Sequence, residues 1–238
     1  MANIKVDYLG HMGDDLTVVN AARVSFDKES DGADWYDVDM GNHFFPLPVL
    51  NDRDSKLIKY LAKHNHWSPF SHCFLQLRVK APIFVARQLM KHTVGLAWNE
   101  VSRRYVDSKP SFYQPTYFRR KADNVKQGSS SEPVSSRTDW NETVDKYTGY
   151  MVTLYDLMLK EGICPEQARM ILPQSMMTEW YWSGSLYAFA RVCQLRLAKY
   201  AQAETRIVAE QIHNICAQIF PASWDALMNN GEDDDRDS

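Results

Sequence analysis

The chain has 238 residues, one or two domains at ~150 residues each, and its 45% hydrophobic and 24% charged content is ordinary for a globular protein. A mean hydropathy of −0.44 and the lack of any apolar run near ~18 residues argue against a membrane-spanning helix. The formal charge of −3 is set by the terminal run Glu232–Asp237, with five acids and one arginine; the near-neutral body argues against a general polyanion binder but can hold local basic pockets.

From the N-terminus, Met1–Asp7 has no basic region followed by an apolar stretch, so a secretory signal is not expected. Lys5–Leu9 predicts a short strand. Asp14–Ser25 predicts a helix with Leu16, Val19 and Ala22 in an apolar stripe that Arg23 interrupts. Asp27–Asp52 mixes acids, glycines, Pro46 and Pro48 and reads as a long loop, one that packs through Trp35, Tyr36, Phe44 and Phe45. Asp54–His64 carries Leu57, Ile58 and Leu61 at helical spacing. Cys73–Lys80 alternates, with Cys73, Leu75, Leu77 and Val79 facing one way, which is a half-buried strand. Pro82 opens a helix to about His92.

A polar stretch leads to Ser136, with Gln127–Ser131 its most flexible-looking part. Trp140–Glu161 predicts a long helix closed by Gly162, and Pro165–Ile171 a short one. Met176–Trp182 reads as extended. Ser185 caps a helix carrying Leu186, Phe189, Cys193 and Leu197, and Val208, Ile212, Ile215 and Ile219 mark the last helix. From residue 229 onward the acidic tail is expected to be disordered. Strands and helices mix without regular alternation. The expected fold is therefore α+β, one domain over residues 1–228 with a small, mostly antiparallel sheet and several long helices.

Several chemistries lack their motifs. The ten glycines form neither GxGxxG nor GxxxxGK[ST], and there is no GxSxG or HExxH. Cys73, Cys164, Cys193 and Cys216 form no CxxC pair, which argues against a zinc ribbon or disulfide framework and fits a reducing cytoplasm. His64, His66 and His72 lie close in sequence, but no Asp or Glu joins them locally, so polar use without a metal is favoured and no metal is expected.

Two features point to an anion site. Gln88 and Lys91 are three residues apart on the predicted helix, and Ser102-Arg103-Arg104 offers a hydroxyl, backbone donors and two guanidinium groups. That set suits a phosphate, although a solvated basic surface is the competing reading. Arg196 falls on or beside the apolar face of its helix, three residues after Cys193. A guanidinium there needs a partner, either an internal carboxylate such as Glu204 or a ligand. Arg169 invites the same two readings.

The residues also carry a resemblance. Met12–Leu16, Ala21–Phe26, His66–His72, Lys80–Gln88, Asn99–Tyr105, Ala168–Pro173, Leu195-Arg196 and Ala201–Glu204 resemble, in order and spacing over about residues 10–220, the flavin-dependent thymidylate synthases. In the family signature Arg-His-Arg precedes a Ser; here Lys91-His92-Thr93 is followed by eight residues and then Ser102, a loop one residue longer.

The resemblance implies a homotetramer with sites between subunits, FAD as cofactor, and reductive methylation of dUMP to dTMP. Methylenetetrahydrofolate would be the one-carbon donor and NADPH the reductant, with no cysteine nucleophile. It assigns dUMP contacts to Gln88, Lys91, Glu100, Ser102, Arg103, Arg104, Arg169 and Arg196, and FAD contacts to Ser68, Lys91, His92, Thr93, Glu100, Ser185, Tyr187 and Arg191. Catalytic roles fall to Arg196, facing charge that develops on the uracil ring, and to His66, near flavin and folate. A variant pyrimidine nucleotide methylation or hydroxymethylation on the same scaffold is the alternative. A non-catalytic nucleic-acid binder using Arg103, Arg104, Arg119, Arg120 and Lys121 is a weaker one.

Overall fold

A computed structural model describes residues 2–31, 34–105, 109–122 and 130–229. The acidic tail beyond Asn229 and the Gln127–Ser129 part of the polar stretch, both expected to be flexible, lie outside the described residues. The described residues form a single α+β domain around a four-stranded antiparallel sheet of order β1-β4-β6-β5, with a separate two-stranded ribbon, β2-β3.

β1 (Lys5–Met12) runs past the expected end because a bulge between Tyr8 and Gly10 carries the pairing with β4 onward to Met12. α1 (Asp15–Arg23) begins at a reciprocal cap: Thr17 N donates to the Asp14 carboxylate at 2.8 Å, and Asp14 N donates to Thr17 Oγ1 at 3.1 Å. Residues Val24–Phe26 then close in a 3-10 turn. α2 (Asp52–Lys63) is capped by Asn51, whose side chain accepts from Asp54 N at 2.9 Å.

β4 (Phe74–Pro82) alternates as its sequence predicts: Leu75, Leu77, Val79 and Ala81 are buried, and Phe74, Gln76, Arg78 and Lys80 between them are exposed. Against it lies β6 (Met177–Ser185), nine pairs long from Phe74↔Ser185 to Pro82↔Met177. α6 (Leu186–Arg196), α7 (Ala203–Ile219) and α8 (Pro221–Met228) cover the buried face, with Trp182, Phe189, Ile212 and Trp224 in one apolar core.

Four expectations are corrected. The segment 27–52 is not a loop throughout, because Asp34–Asp39 and Phe44–Val49 pair as β2 and β3. Pro46 and Pro48 are tolerated there because a two-stranded ribbon leaves each strand a free edge. The helix from Pro82, α3 (Ile83–Leu89), stops three residues short of His92, so Lys91 lies in the following turn and does not share the helix with Gln88. Residues Leu96–Glu100 form edge strand β5, which approaches β6 closely enough that Gly184 has no room for a Cβ against the Gly95 carbonyl. Finally, the helix marked by Val208, Ile212, Ile215 and Ile219 is not the last, because Pro221 starts a further one, α8.

α4 (Trp140–Lys160), capped by Asp139, and α5 (Pro165–Ala168), with the 3-10 turn Arg169–Ile171, fall where expected. Gly162 at φ +85 turns the chain out of α4, and its N–H and that of Ile163 satisfy the last carbonyls.

Arg23, which breaks the apolar stripe of α1, is explained by Asp54. The Asp54 side chain is 0% exposed and accepts from the Arg23 guanidinium, the Ser30 hydroxyl and, at 2.9 Å, the Asn51 amide. Removing one member of a buried ion pair leaves an uncompensated charge. Arg23→Met is expected to lower stability by about 3–5 kcal/mol in chemical denaturation. A loss below about 1 kcal/mol, the ceiling for an exposed pair, would show that Asp54 does not depend on this partner.

Candidate active site

Three groups of site residues emerge, each placed by a different part of the fold. A cavity of about 560 Å³ opens where β4 and β6 meet the segment after β5. Such a volume falls in the range of small-molecule sites. Glu100, Arg103 and Arg169 line it together, with Lys80, Lys109, Glu166, Thr178 and Glu179.

The Glu100 carboxylate is fixed at both oxygens. Thr178 Oγ1 donates to Oε1 at 2.6 Å and Trp98 Nε1 to Oε2 at 3.3 Å. Glu179 is occupied by the Arg78 guanidinium. Lys80, Arg103, Lys109 and Arg169 thus line the cavity with three carboxylates, those of Glu100, Glu166 and Glu179, a balance that suits a phosphate monoester.

Beside the cavity, Arg104 donates to Ser102 Oγ from its backbone N at 3.3 Å and from Nε at 3.4 Å, folding residues 102–105 into a tight turn. Its Nη1 stands 3.9 Å from Glu166. Arg169 Nε donates to the Glu166 carbonyl at 3.3 Å. Glu166 thus ties both arginines to one helix start.

The second group is Arg196 with His92. Arg196 ends α6, and its Nε donates to His92 Nε2 at 3.0 Å across a separation of 104 residues. His92 must then be neutral, with its proton on Nδ1. Burial, and then the Arg196 charge, hold its pKa below the ordinary imidazole value. Burial likewise lowers that of Arg196.

Glu204 is not the partner of Arg196. Both of its oxygens accept from Arg119 Nη2 at 3.0 Å, and Oε2 also accepts from Gln202 at 3.2 Å. Among the described residues no carboxylate lies within ion-pair distance of Arg196. Nearby, Gln88 Oε1 accepts from the Thr205 hydroxyl, while Lys91 and Thr93 are exposed on the turn.

The third group lines a cleft of about 70 Å³ between the end of α2 and α6: His66, Trp67, Tyr187 and Arg191, with Asn65 and Gln194. Asn65, at φ +54, turns the chain out of α2 and presents His66, whose N–H donates to the Leu61 carbonyl at 2.8 Å. Trp67 is 56% exposed, with its ring 6.2 Å from Tyr187. Ser68 is exposed at the head of the next 3-10 turn. Ser185 is buried, and its hydroxyl accepts from Ala188 N at 3.2 Å as the cap of α6. Among the described residues no three His, Cys, Asp or Glu side chains stand close enough to share a metal ion.

Sequence reasoning missed Lys80, Lys109, Trp98 and Thr178. For Thr178 a signal was present, since it is a hydroxyl on the same strand parity as the buried Trp180 and Trp182.

Residues 7–222 match the family model described as thymidylate synthase complementing protein. The chain belongs to this family. A flavin-dependent thymidylate synthase of Thermus thermophilus is 34% identical over 222 residues, covering 93% of this chain and 74% of that protein. One from Thermosipho africanus is 32% identical, covering 91% and 87%. Among solved structures, the UMP/dUMP methylase PolB from Streptomyces cacaoi bound with 5-Br dUMP superposes with a TM-score of 0.77 at 28% identity, covering 96% of both chains. The same enzyme bound with 5-Br UMP gives 0.76 at 26% identity. The resemblance drawn from the sequence and the expected α+β fold are borne out at the level of this family.

The Arg196–His92 bond makes a testable demand on pH. Because the folded pKa of His92 is depressed, the stability its neutral form contributes is present above the ordinary value of 6.5 and is lost as pH falls through the lower folded value. An NMR titration should show His92 as the Nδ1–H tautomer titrating below 6.5, and Arg196→Leu should raise that midpoint. A His92 midpoint at or above 6.5 in the unaltered protein would contradict the assignment.

Proposed function

We propose that this protein methylates dUMP to dTMP reductively, with FAD as cofactor, methylenetetrahydrofolate as one-carbon donor and NADPH as reductant, and without a cysteine nucleophile. The observation that carries the reading is the 560 Å³ cavity, in which Lys80, Arg103, Lys109 and Arg169 converge around an anchored Glu100. Membership of a family whose relatives are named flavin-dependent thymidylate synthases supports it, as does the neighbour bound with 5-Br dUMP.

In this reading the arginines and lysines receive the phosphate, and Glu100, Ser102 and Gln88 orient the sugar and base. Arg196 faces the pyrimidine ring and stabilises the negative charge that develops as N3 loses its proton. His92 accepts from Nε of Arg196, which fixes the plane of the guanidinium and leaves its terminal nitrogens for the substrate. Burial pushes the thiols of Cys73, Cys193 and Cys216 well above their ordinary value, so none is a ready thiolate.

The residues beside His66 suit a flavin nucleotide. Trp67 and Tyr187 offer aromatic faces, Arg191 a guanidinium for a phosphate, and Ser68, Lys91, His92 and Thr93 polar groups on adjoining turns. FAD, when bound, would carry the reducing equivalents of NADPH to the substrate. A cleft of about 70 Å³ is too small to enclose such a molecule, so most of it would lie against a second subunit. α4 provides a surface for one: only Tyr155 is buried on it, while Tyr147, Tyr150, Met151, Leu154 and Leu157 are exposed along one side. This supports assembly as a homotetramer with shared sites. Residues 1–228 then serve as one catalytic unit. No helix among the described residues is long and apolar enough to cross a membrane, and the four free cysteines fit action in the cytoplasm.

One observation favours a second reading. The neighbouring methylase is solved with both 5-Br dUMP and 5-Br UMP, so methylation of the ribonucleotide is the alternative, and competition between dUMP and UMP for the purified protein discriminates the two. The nucleic-acid reading loses support, because Arg119 is committed to Glu204 and Arg120 stands 3.8 Å from Glu132.

Arg196→Ala and Arg196→Lys are each expected to reduce dTMP formation by at least about 100-fold, the scale of losing a fixed donor at developing charge, with an unchanged thermal melting midpoint. Turnover within about threefold of the unaltered protein, where ~1.4 kcal/mol would give tenfold, would make Arg196 a structural residue.

A further inference from the structure

We propose that Thr178 is a positioning residue for the nucleotide site, its hydroxyl holding the Glu100 carboxylate in the orientation that receives the substrate. The inference rests on the reading of the 560 Å³ cavity as the nucleotide site and names a group that reading does not use.

Glu100 is the last residue of β5, an edge strand, and it is exposed. Left alone, its carboxylate would sample several rotamers, and ordering it would be charged against substrate binding. Register prevents this. Glu100 pairs with Trp180 across β5 and β6, and Thr178 lies two residues along β6 on the same face, within diagonal reach. Thr178 is 9% exposed and lines the same cavity. Its hydroxyl donates to Glu100 Oε1 at 2.6 Å, the length of a charge-assisted O–H···O⁻ bond.

The second oxygen accepts from Trp98 Nε1 at 3.3 Å, and the Trp98 ring is itself fixed by stacking on Trp180, with centroids 4.2 Å apart and planes 18° from parallel. Two donors on rigid supports therefore fix the plane of the carboxylate. A carboxylate oxygen can accept more than one hydrogen bond, so each keeps capacity for a donor on the ligand. A threonine that merely satisfied its own buried hydroxyl would not need a charged acceptor at the cavity wall.

The test is calorimetric titration of dUMP into the FAD-loaded protein. Thr178→Val keeps the shape and removes the donor. It is expected to weaken dUMP binding about tenfold, the scale of one hydrogen bond to a charged group, with the melting midpoint little changed, and Thr178→Ser should restore binding. Trp98→Phe, which keeps the stacked ring and removes the other donor, should weaken binding in the same direction. In a Glu100→Gln background, Thr178→Val should have much less effect than it has alone. Equal dUMP affinity for Thr178→Val and the unaltered protein, or a loss that Thr178→Ser does not rescue, would overturn the proposal while leaving the site reading intact. An unaltered protein that does not bind dUMP would overturn the site reading and this inference together.

Discussion

The antiparallel ladder between β4 and β6 is the constraint on which the other parts depend. Nine consecutive pairs, Phe74↔Ser185 to Pro82↔Met177, join parts of the chain about a hundred residues apart. One end of the ladder delivers Ser185 as the cap of α6 and so sets the direction in which α6 carries Tyr187, Arg191 and Arg196. The other end delivers Thr178 and Glu179 to the cavity beside Lys80. Because side chains alternate across a strand, a slip of one residue would turn Leu75, Leu77, Val79, Trp180 and Trp182 out of the core. The apolar face therefore fixes the register, and the register places the polar groups.

The charged groups divide by whether the protein satisfies them itself. Arg23 with Asp54, Arg119 with Glu204 and Arg78 with Glu179 are internal pairs. They tie α1 to α2, the residue 119 segment to α7, and neighbouring strands to each other. Arg196 differs, because its guanidinium is half-buried and meets a neutral imidazole rather than a carboxylate. A partly desolvated cation with a neutral acceptor retains its charge for an anion supplied from outside. The large cavity is lined by Lys80, Arg103, Lys109 and Arg169 together with Glu100, Glu166 and Glu179.

Much of the fold was legible in the sequence. The alternation in Cys73–Lys80, the helix start at Asp14 and the caps at Ser185 and Gly162 mark features that local chemistry determines. The ribbon β2-β3 was hidden because prolines and aspartates dilute its alternation, and its strands gain their stability from each other and from Phe45 against the body. β5 was hidden because five residues carry too little pattern and depend on the close approach at Gly184. At the site, the residue types near 87–105 announced an anion, yet partners were not readable. Glu204 was a reasonable mate for Arg196 at eight residues' distance, but Arg119 from a remote loop takes it, and His92 arrives from the turn after α3. The strand parity of Thr178 marked it as an inward hydroxyl, but its acceptor was not readable, because Glu100 lies 78 residues away.

The central claim is that these cationic and flavin-suited groups together activate the C5 position of dUMP. The most direct measurement is release of deuterium or tritium from 5-labelled dUMP by the purified protein supplied with FAD, methylenetetrahydrofolate and NADPH. The account predicts release that requires FAD and keeps pace with dTMP formation. A protein that binds FAD and dUMP but releases no label with all components present would contradict it.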